Sequence, residues 1–340
     1  MKLEEKCLQL GAVVVAAAIA LRLLGGGLGQ QLLTKLSSPE MAALLLYVET
    51  GRVIHPGQAQ TPTAPTEPAT APETEPPETT DAPALPSEPD MPAFAPQDAA
   101  LVEVNSLCGY DADVETLLQM PLDWNLTGDA PTVLILHSHA TESYTKTEDY
   151  AESTAYRTLD EGYNMVSVGD RLTQLLEERG IRVIHDRTLH DYPSYTNSYN
   201  QARSATRKLL EENPSIRLVL DLHRDSIADS AGDQLSYTVD TQEGSAAQVM
   251  MVVGTDAGGL THPNWDENMA LAVKLHALLE QSCPGICRPI SFRSQRFNQD
   301  LSTGALLIEV GAAGNTRPEA LLATEYLADC IAALANGTGG

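Results

Sequence analysis

Two histidines and a glutamate follow an apolar stretch near the middle of this 340-residue chain. Residues 132–136 are mostly aliphatic or β-branched and predict a buried strand, and His137, His139 and Glu142 come directly after it. Open α/β folds place their sites at such strand ends. Neutral imidazoles and a carboxylate are also ligands that Zn²⁺ prefers. The spacing H-x-H-x-x-E therefore predicts a metal site, with His137 or His139 as its first ligand.

Two later apolar stretches end in the same kind of residue. The stretch at 216–222 leads into the segment 221–225, which reads Asp-Leu-His-Arg-Asp, and the stretch at 305–310 carries Glu309. The carboxyl ends of parallel strands lie at one edge of a sheet. We therefore expect the three strand ends to converge, although their segments are far apart in the sequence.

The residue types at these ends predict a hydrolytic zinc centre. Catalytic Zn²⁺ takes three protein ligands, commonly two histidines and a carboxylate, and keeps one position for water. His139, Glu142 and His223 could supply these ligands, with His137 as the alternative to His139. Glu309 is predicted to be the general base, which passes a proton from water to the leaving amine. A carboxylate inside an apolar strand suggests function, because a buried carboxylate otherwise needs a partner.

Charged neighbours of His223 are predicted to support it. Asp221 or Asp225 would orient the imidazole or pair with Arg224, as outer residues of metal sites do. The alternative is that Asp221, Arg224 and Asp225 form an ion-pair cluster with a structural role only.

The polar pair Asn298 and Gln299 precedes the last of the three strands. We predict that these two amide side chains line a polar substrate groove. The alternative is that they form part of a turn.

Several function classes are excluded. The net charge is -25, so the chain would be repelled by phosphates and nucleic acid is not expected as a partner. The metallo-β-lactamase motif H-x-H-x-D-H requires Asp-His where Thr141 and Glu142 stand. A G-x-S-x-G elbow, typical of α/β serine hydrolases, is not present in the sequence.

The elements that must position these residues alternate along the chain. Strands are predicted at 101–107, 132–136, 181–184, 216–222 and 305–310, and helices at 112–119, 163–179, 200–213, 267–281 and 318–335. This alternation predicts an α/β fold with a mostly parallel sheet and helices on both faces. Two further segments, 235–239 and 248–253, are expected to pair with each other.

The first hundred residues have a different composition. An apolar run over 8–28 matches the thickness of a bilayer, so 1–29 is predicted to be a cytosolic end and transmembrane anchor, with a cleaved signal peptide as the alternative. Residues 30–55 predict a juxtamembrane helix, and the Pro/Thr/Glu-rich segment 56–100 predicts a disordered linker. Residues 101–340 are then the catalytic domain.

Charge and cysteine content bear on the location of that domain. Lys2 and Lys6 favour an amino terminus in the cytosol, which places the catalytic domain on the extracytoplasmic, cell-wall side. In that environment Cys283 and Cys287 either form a small disulfide or remain thiols.

Four sequence blocks together resemble the stage II sporulation protein P family. They are residues 137–144 (His-Ser-His-Ala-Thr-Glu-Ser-Tyr), 221–225, 297–301 (Phe-Asn-Gln-Asp-Leu) and 307–311 (Leu-Ile-Glu-Val-Gly), and their order agrees with the family. The resemblance covers about residues 101–335. An anchor followed by a linker is also similar to that family.

The resemblance implies a membrane-anchored, zinc-dependent peptidoglycan hydrolase. Members of the family act as N-acetylmuramoyl-L-alanine amidases and as cross-link endopeptidases during engulfment of the forespore, together with stage II sporulation proteins D and M. Their fold is related to the zinc amidases of cell-wall lysis. The rival interpretations are a non-catalytic wall-binding scaffold that recruits another hydrolase, and a zinc peptidase with other substrates.

The resemblance also assigns roles at the site. His139 matches the first histidine ligand of the related zinc amidases, His223 the second, and Glu309 the catalytic glutamate. In those amidases the carboxylate ligand opens the first helix, near Glu161 in this chain, whereas Glu142 lies in the block shared with the sporulation family. Glu142 is the preferred ligand.

Overall fold

The computed structural model of the chain describes residues 93–151 and 155–337. The predicted anchor at 1–29, the juxtamembrane helix at 30–55 and most of the linker at 56–100 lie outside the described residues. Within the described part, no helix is both long and apolar enough to span a bilayer.

A seven-stranded sheet forms the centre of the described domain, and a separate two-stranded sheet lies beside it. Across the large sheet the strand order is β1-β8-β7-β9-β4-β2-β3, and every neighbouring pair is parallel except β7 and β9. The strands are β1 Val104–Ser106, β2 Val133–Leu136, β3 Val183–His185, β4 Leu218–Asp225, β5 Thr238–Asp240, β6 Ser245–Ala247, β7 Val249–Gly254, β8 Ile290–Arg293 and β9 Ala305–Ala312. The prediction of a mostly parallel sheet is confirmed.

The described residues form five α-helices, most of which pack on the large sheet. They are α1 Val114–Gln119, α2 Met165–Glu178, α3 Ser198–Glu212, α4 Trp265–Ser282 and α5 Arg317–Ala333. Successive side chains of β2 point to opposite faces, so Val133 and Ile135 join the core under α2, α4 and α5, while Leu134 and Leu136 pack with α3. Helices therefore lie on both faces, as predicted.

The expected pairing of segments 235–239 and 248–253 holds at one end only, where the backbone N–H of Gln248 donates to the carbonyl of Tyr237 at 2.9 Å. β5 pairs instead with β6, antiparallel, and β7 enters the large sheet between β8 and β9. All six residues of β7 are buried, whereas β5 is largely exposed. An apolar strand of this kind needs cover on both faces, which only the interior of the large sheet provides.

The folded domain begins before residue 101. A 3-10 helix spans Pro96–Leu101, and Phe94 is buried in the core. The side-chain amide of Gln119 donates to the carbonyl of Phe94 at 3.0 Å, and the ammonium of Lys274 lies 4.9 Å from the centre of its ring. The end of the predicted linker is therefore part of the packed structure, because its one phenylalanine has a place in the core.

Cysteine is unpaired throughout the described domain. Cys283 and Cys287 are both free thiols, as are Cys108 and Cys330. Of the two interpretations left open by the sequence, the structure has the unpaired one.

Candidate metal centre

The three strand ends that carry candidate residues lie side by side in the sheet. β4 is hydrogen-bonded to β2 on one side and to β9 on the other, both parallel. In the register of β4 and β9, His223 is directly opposite Glu309. Residues from three distant parts of the sequence thus meet at one edge of the sheet.

His139, Glu142 and His223 form a compact cluster in which the donor atoms all lie within 4.8 Å of one another. Nδ1 of His139 is 3.4 Å from Oε1 of Glu142, and Nδ1 of His223 is 3.5 Å from Oε2. Two ligand atoms bound to tetrahedral Zn²⁺ at roughly 2.0–2.1 Å are about 3.4 Å apart. The ligand types and their spacing therefore fit a zinc ion.

His137, the alternative first ligand, points away from this cluster. Its Nε2 lies 2.9 Å from Nε2 of His185, and its Nδ1 lies 3.0 Å from the carbonyl oxygen of Leu222. Both ring nitrogens are thus engaged elsewhere, and we call His137 and His185 the histidine pair. Burial, together with His185 beside it, lowers the pKa of His137 to about 3. His139 is the member of the H-x-H motif that belongs to the cluster.

Asp221 holds His223 in place. Its Oδ1 lies 2.9 Å from Nε2 of His223 and accepts the backbone N–H of Ser138 at 2.7 Å, and its Oδ2 accepts the Ser138 hydroxyl at 2.5 Å. A proton on Nε2 leaves Nδ1 of His223 free to face Glu142. Burial lowers the pKa of His223, but the adjacent Asp221 and Glu142 carboxylates outweigh it and raise that pKa well above its usual range.

Two arginines hold Glu142. Arg224 places its backbone N–H 3.3 Å from Oε2 of Glu142, and its guanidinium also donates to the backbone carbonyls of Ser143 and Tyr156. Arg157 donates to Oε1 of Glu142 at 3.2 Å. Burial opposes the carboxylate charge, yet hydrogen bonds from the two histidines and the charge of Arg224 hold the pKa of Glu142 well below its usual range.

The expected roles of Asp221, Arg224 and Asp225 are only partly met. Asp221 orients His223, and Arg224 supports Glu142 rather than either aspartate. Asp225 pairs with Arg288 at 2.8 Å. The register between β4 and β9 shifts between His223 and Asp225, so Asp225 does not continue the regular pairing that sets His223 opposite Glu309.

Glu309 approaches the cluster from the next strand. Its side chain is half-buried, and its Oε2 atom is buried without a hydrogen-bond partner among the described residues. Burial raises the pKa of Glu309 to about 8; nearby Glu142 adds to this rise, and His223 opposes it. A buried carboxylate oxygen with no bond to protein is suited to hold water or a proton.

A backbone irregularity follows Glu309 immediately. Asp225 of β4 is opposite Ala312, so β9 has one residue more than β4 over this interval. Gly311 lies within the extra length and has a φ of +71°, a conformation that favours glycine. A Cβ on Gly311 would lie 2.9 Å from Oδ1 of Asn315, so the position is also too crowded for a side chain. This β-bulge ends the regular pairing beside the site.

Aromatic side chains that sequence reasoning missed cover one flank of the centre. The ring of Tyr195 stacks on His139 with centroids 4.6 Å apart, and Tyr199 lies 5.3 Å from His139 and 6.4 Å from His223. Arg157 lies 4.5 Å from the ring centre of Tyr195. Tyr195 is 51% exposed, so this flank is open to a substrate.

Gln299 holds the backbone of a neighbouring strand. It is buried, its Oε1 accepts the N–H of Gly254 at 2.7 Å and its Nε2 donates to the carbonyl of Val252 at 2.7 Å. These bonds satisfy the backbone of β7, so Gln299 stabilises the fold, and together with Asn298 and Asp221 it also lines a small cavity. Asn298 adopts a φ of 61° and donates to the carbonyl of Tyr199 at 2.9 Å, which links it to the aromatic flank.

Glu161, near the place of the carboxylate ligand in related amidases, is far less suited than Glu142. It is exposed and pairs with Arg187 at 2.6 Å. His190 is buried and lies 3.0 Å from Asp186. Neither belongs to the cluster.

Comparison with known proteins identifies one family. The family described as Stage II sporulation protein P (SpoIIP) matches residues 55–332 of this chain. The stage II sporulation protein P of Bacillus subtilis (strain 168) is 31% identical over 217 residues, which is 60% of this chain and 51% of that protein. The match thus spans about half of the relative's length.

Solved structures of amidases are also similar to this chain. They include N-acetylmuramoyl-L-alanine amidase AmiC2 of Nostoc punctiforme (14% identity, 60% of this chain and 95% of that chain, TM-score 0.36). The catalytic domain of CwlV from Bacillus (Paenibacillus) polymyxa var. colistinus matches at 15% identity, 60% of this chain and 94% of that chain, with a TM-score of 0.36. The amidase from Clostridium difficile 630 matches at 17% identity, 60% and 94%, with a TM-score of 0.34.

Proposed function

The chain belongs to the stage II sporulation protein P family, and we propose that it is a zinc-dependent peptidoglycan hydrolase that acts in sporulation. The observation that carries this proposal is the cluster of His139, Glu142 and His223 with Glu309 opposite His223. Two imidazoles, one carboxylate ligand and a further carboxylate with an unpartnered oxygen are what a hydrolytic zinc site requires.

Each protein group has a separate task in this proposal. His139, Glu142 and His223 would hold the ion, which when bound supplies Lewis acidity to a water molecule and to the carbonyl of the scissile amide. Asp221 keeps the proton of His223 on Nε2. Glu309 takes a proton from water and delivers it to the departing amine, so that both the new carboxylate and the amine leave as stable species.

The bonds cut would be amides of peptidoglycan. The family resemblance implies an N-acetylmuramoyl-L-alanine amidase that also opens peptide cross-links. The amidase and the endopeptidase reaction both hydrolyse an amide. The same general base and the same Lewis acid can therefore act in both. The aromatic flank formed by Tyr195 and Tyr199 is open on the side where such a chain would lie.

The cellular setting is part of the same proposal. Residues 1–29 would anchor the chain in the membrane with its amino terminus in the cytosol, and the linker would carry the hydrolase into the cell wall. Engulfment of the forespore is the proposed process, and stage II sporulation proteins D and M are the proposed partners. The apolar run at 8–28 and the absence of Lys and Arg between Arg52 and Lys146 support this arrangement.

Mass spectrometry of digested peptidoglycan tests the activity. The full chain with Zn²⁺ should release muropeptides, and a chelator should abolish the release. Glu309→Gln should lose at least about a hundredfold of the rate, since a general base contributes roughly 10²–10⁴. The exposed Glu212 offers a matched control, and Glu212→Gln should keep full activity.

The outcome also decides between the enzyme and the wall-binding scaffold. A scaffold would bind peptidoglycan equally well with and without the chelator, and Glu309→Gln would change nothing. Absence of any released product from the zinc-loaded chain would refute the hydrolase proposal.

A further inference from the structure

A groove of about 390 Å³ lies between the beginnings of α2 and α5. α2 follows the carboxyl end of β2, and α5 follows that of β9. The groove therefore lies at the same edge of the sheet as the metal centre. Its lining includes three arginines and two acids: Arg171, Arg187 and Arg317 with Glu161 and Asp170.

Arg317 differs from the other two arginines. Arg171 pairs with Glu325, and Arg187 pairs with Glu161 and Asp170. Arg317 has no carboxylate within ion-pair distance among the residues that the structure describes.

The contacts of Arg317 leave much of its guanidinium available. Nε donates to the hydroxyl of Ser167 at 3.2 Å, and the guanidinium lies 5.5 Å from the ring centre of Tyr163. The nearby carboxylate of Asp149 accepts bonds from Thr147 and Tyr163 instead. In a chain with 46 acidic and 21 basic residues, a guanidinium at the edge of a groove is suited to an external anion when no carboxylate of the described residues lies within ion-pair distance and the nearest one, Asp149, acts on it only from further away.

Two stacked tyrosines lie between this arginine and Ser143, the residue that follows Glu142. Tyr163 stacks on Tyr150 with centroids 4.6 Å apart and planes at 13°, and the hydroxyl of Tyr150 donates to that of Ser143 at 3.1 Å. Ser143 is the neighbour of Glu142 in the cluster. The successive contacts from Arg317 to the Tyr163 ring (5.5 Å), between the two rings (4.6 Å) and from the Tyr150 hydroxyl to Ser143 (3.1 Å) span on the order of 15 Å, about the length of four to five extended residues at roughly 3.3 Å each.

We propose that the groove is a subsite for the terminal carboxylate of a short peptide whose scissile amide lies at the metal centre, with Arg317 as the residue that binds this carboxylate. The proposal rests on the proposed function and names its substrate class: a muramoyl-peptide of about four residues with a free carboxyl end. A planar guanidinium binds a carboxylate through two parallel hydrogen bonds, which Lys cannot imitate. The stacked tyrosines form the flat side along which the peptide backbone extends.

Binding of non-hydrolysed peptides to the full chain tests the subsite. Glu309→Gln prevents turnover, and calorimetry compares an N-acetylmuramoyl tetrapeptide that has a free carboxyl end with the same peptide as a C-terminal carboxamide. The free acid should bind about tenfold more tightly, as expected for a hydrogen-bonded charge pair. The double variant Glu309→Gln with Arg317→Gln should lose the preference for the free acid and keep the same affinity for the carboxamide. A muramoyl dipeptide, too short to reach, should be insensitive to Arg317→Gln.

Controls separate the subsite from folding and from the hydrolase proposal. Arg171→Gln removes a groove arginine that already has an acidic partner, so the preference for the free acid should remain. Arg317→Lys should retain only part of it. Equal affinity of the acid and the carboxamide, or an equal loss of both with Arg317→Gln, would overturn the subsite. Because the measurement needs no hydrolysis, the subsite can fail or hold independently of muropeptide release.

Discussion

Asp221→Asn should weaken zinc binding without changing the shape of the site. Asparagine keeps an oxygen for His223 and Ser138 but loses the negative charge that the structure places 2.9 Å from Nε2 of His223. That charge makes the imidazole a stronger ligand. Loss of such an outer residue typically costs 10–100-fold in metal affinity. We expect a dissociation constant raised by that factor, or about 1.4–2.8 kcal/mol.

The effect should depend on pH in a definite direction. In the metal-free protein Asp221 and Glu142 raise the pKa of His223 well above its usual range, so zinc must displace a proton from this residue. Asp221→Asn lowers that pKa and reduces the competition from protons. The loss of affinity should therefore be largest at high pH, where no proton competes in either protein, and should shrink as the pH falls.

Competition with a chromophoric chelator at several pH values measures the affinity. Asp225→Asn is a matched control four residues along the same strand, because Asp225 pairs with Arg288 and not with the cluster. It should bind zinc like the wild type. If Asp221→Asn also binds zinc like the wild type at high pH, or if both variants lose affinity equally, the orienting role of Asp221 is refuted.

Two further variants test stability. In the metal-free protein the pKa of Glu309 is about 8 instead of 4.5, so between these values the folded state holds a proton that the unfolded chain has released, and stability falls as pH rises. Urea unfolding in the presence of a chelator measures the free energy of unfolding of both proteins. From pH 5 to pH 8 the value for Glu309→Gln should rise relative to that of the wild type. A difference that stays constant over this range would contradict the raised pKa of Glu309. Gly169→Ala should destabilise by about 1–3 kcal/mol, because its Cβ would crowd the histidine pair, 2.6 Å from Nε2 of His137; an unchanged urea midpoint would show that the pair moves aside freely.

The central part of the site was predictable because it follows regular strands. Hydrophobic runs reveal buried parallel strands, and the residues that end them must meet at one edge. His139, Glu142, His223 and Glu309 were all placed correctly at that edge by this argument. The choice of His139 over His137 was not predictable, since it depends on how the chain turns after β2.

Residues on irregular segments were missed for a physical reason. Arg157 and Tyr195 reach the centre from segments with no periodic pattern, and only their tertiary contacts place them there. Gln299 was assigned to a groove because polar residues between elements are usually exposed. Its side chain is instead buried against β7, where it bonds two backbone groups that sequence alone does not show to be unsatisfied.

The bulge at Gly311 has a consequence for anyone who transplants this site into another protein. Grafting usually copies side chains onto a host backbone, here Glu142, His223 and Glu309. β9 has one extra residue directly after Glu309, and an extra residue of this kind bends and twists a strand locally. A host sheet with uniform pairing lacks that residue. The host would hold the correct side chains at the wrong angles, so a working transplant must include the backbone of residues 309–312 together with its left-handed glycine.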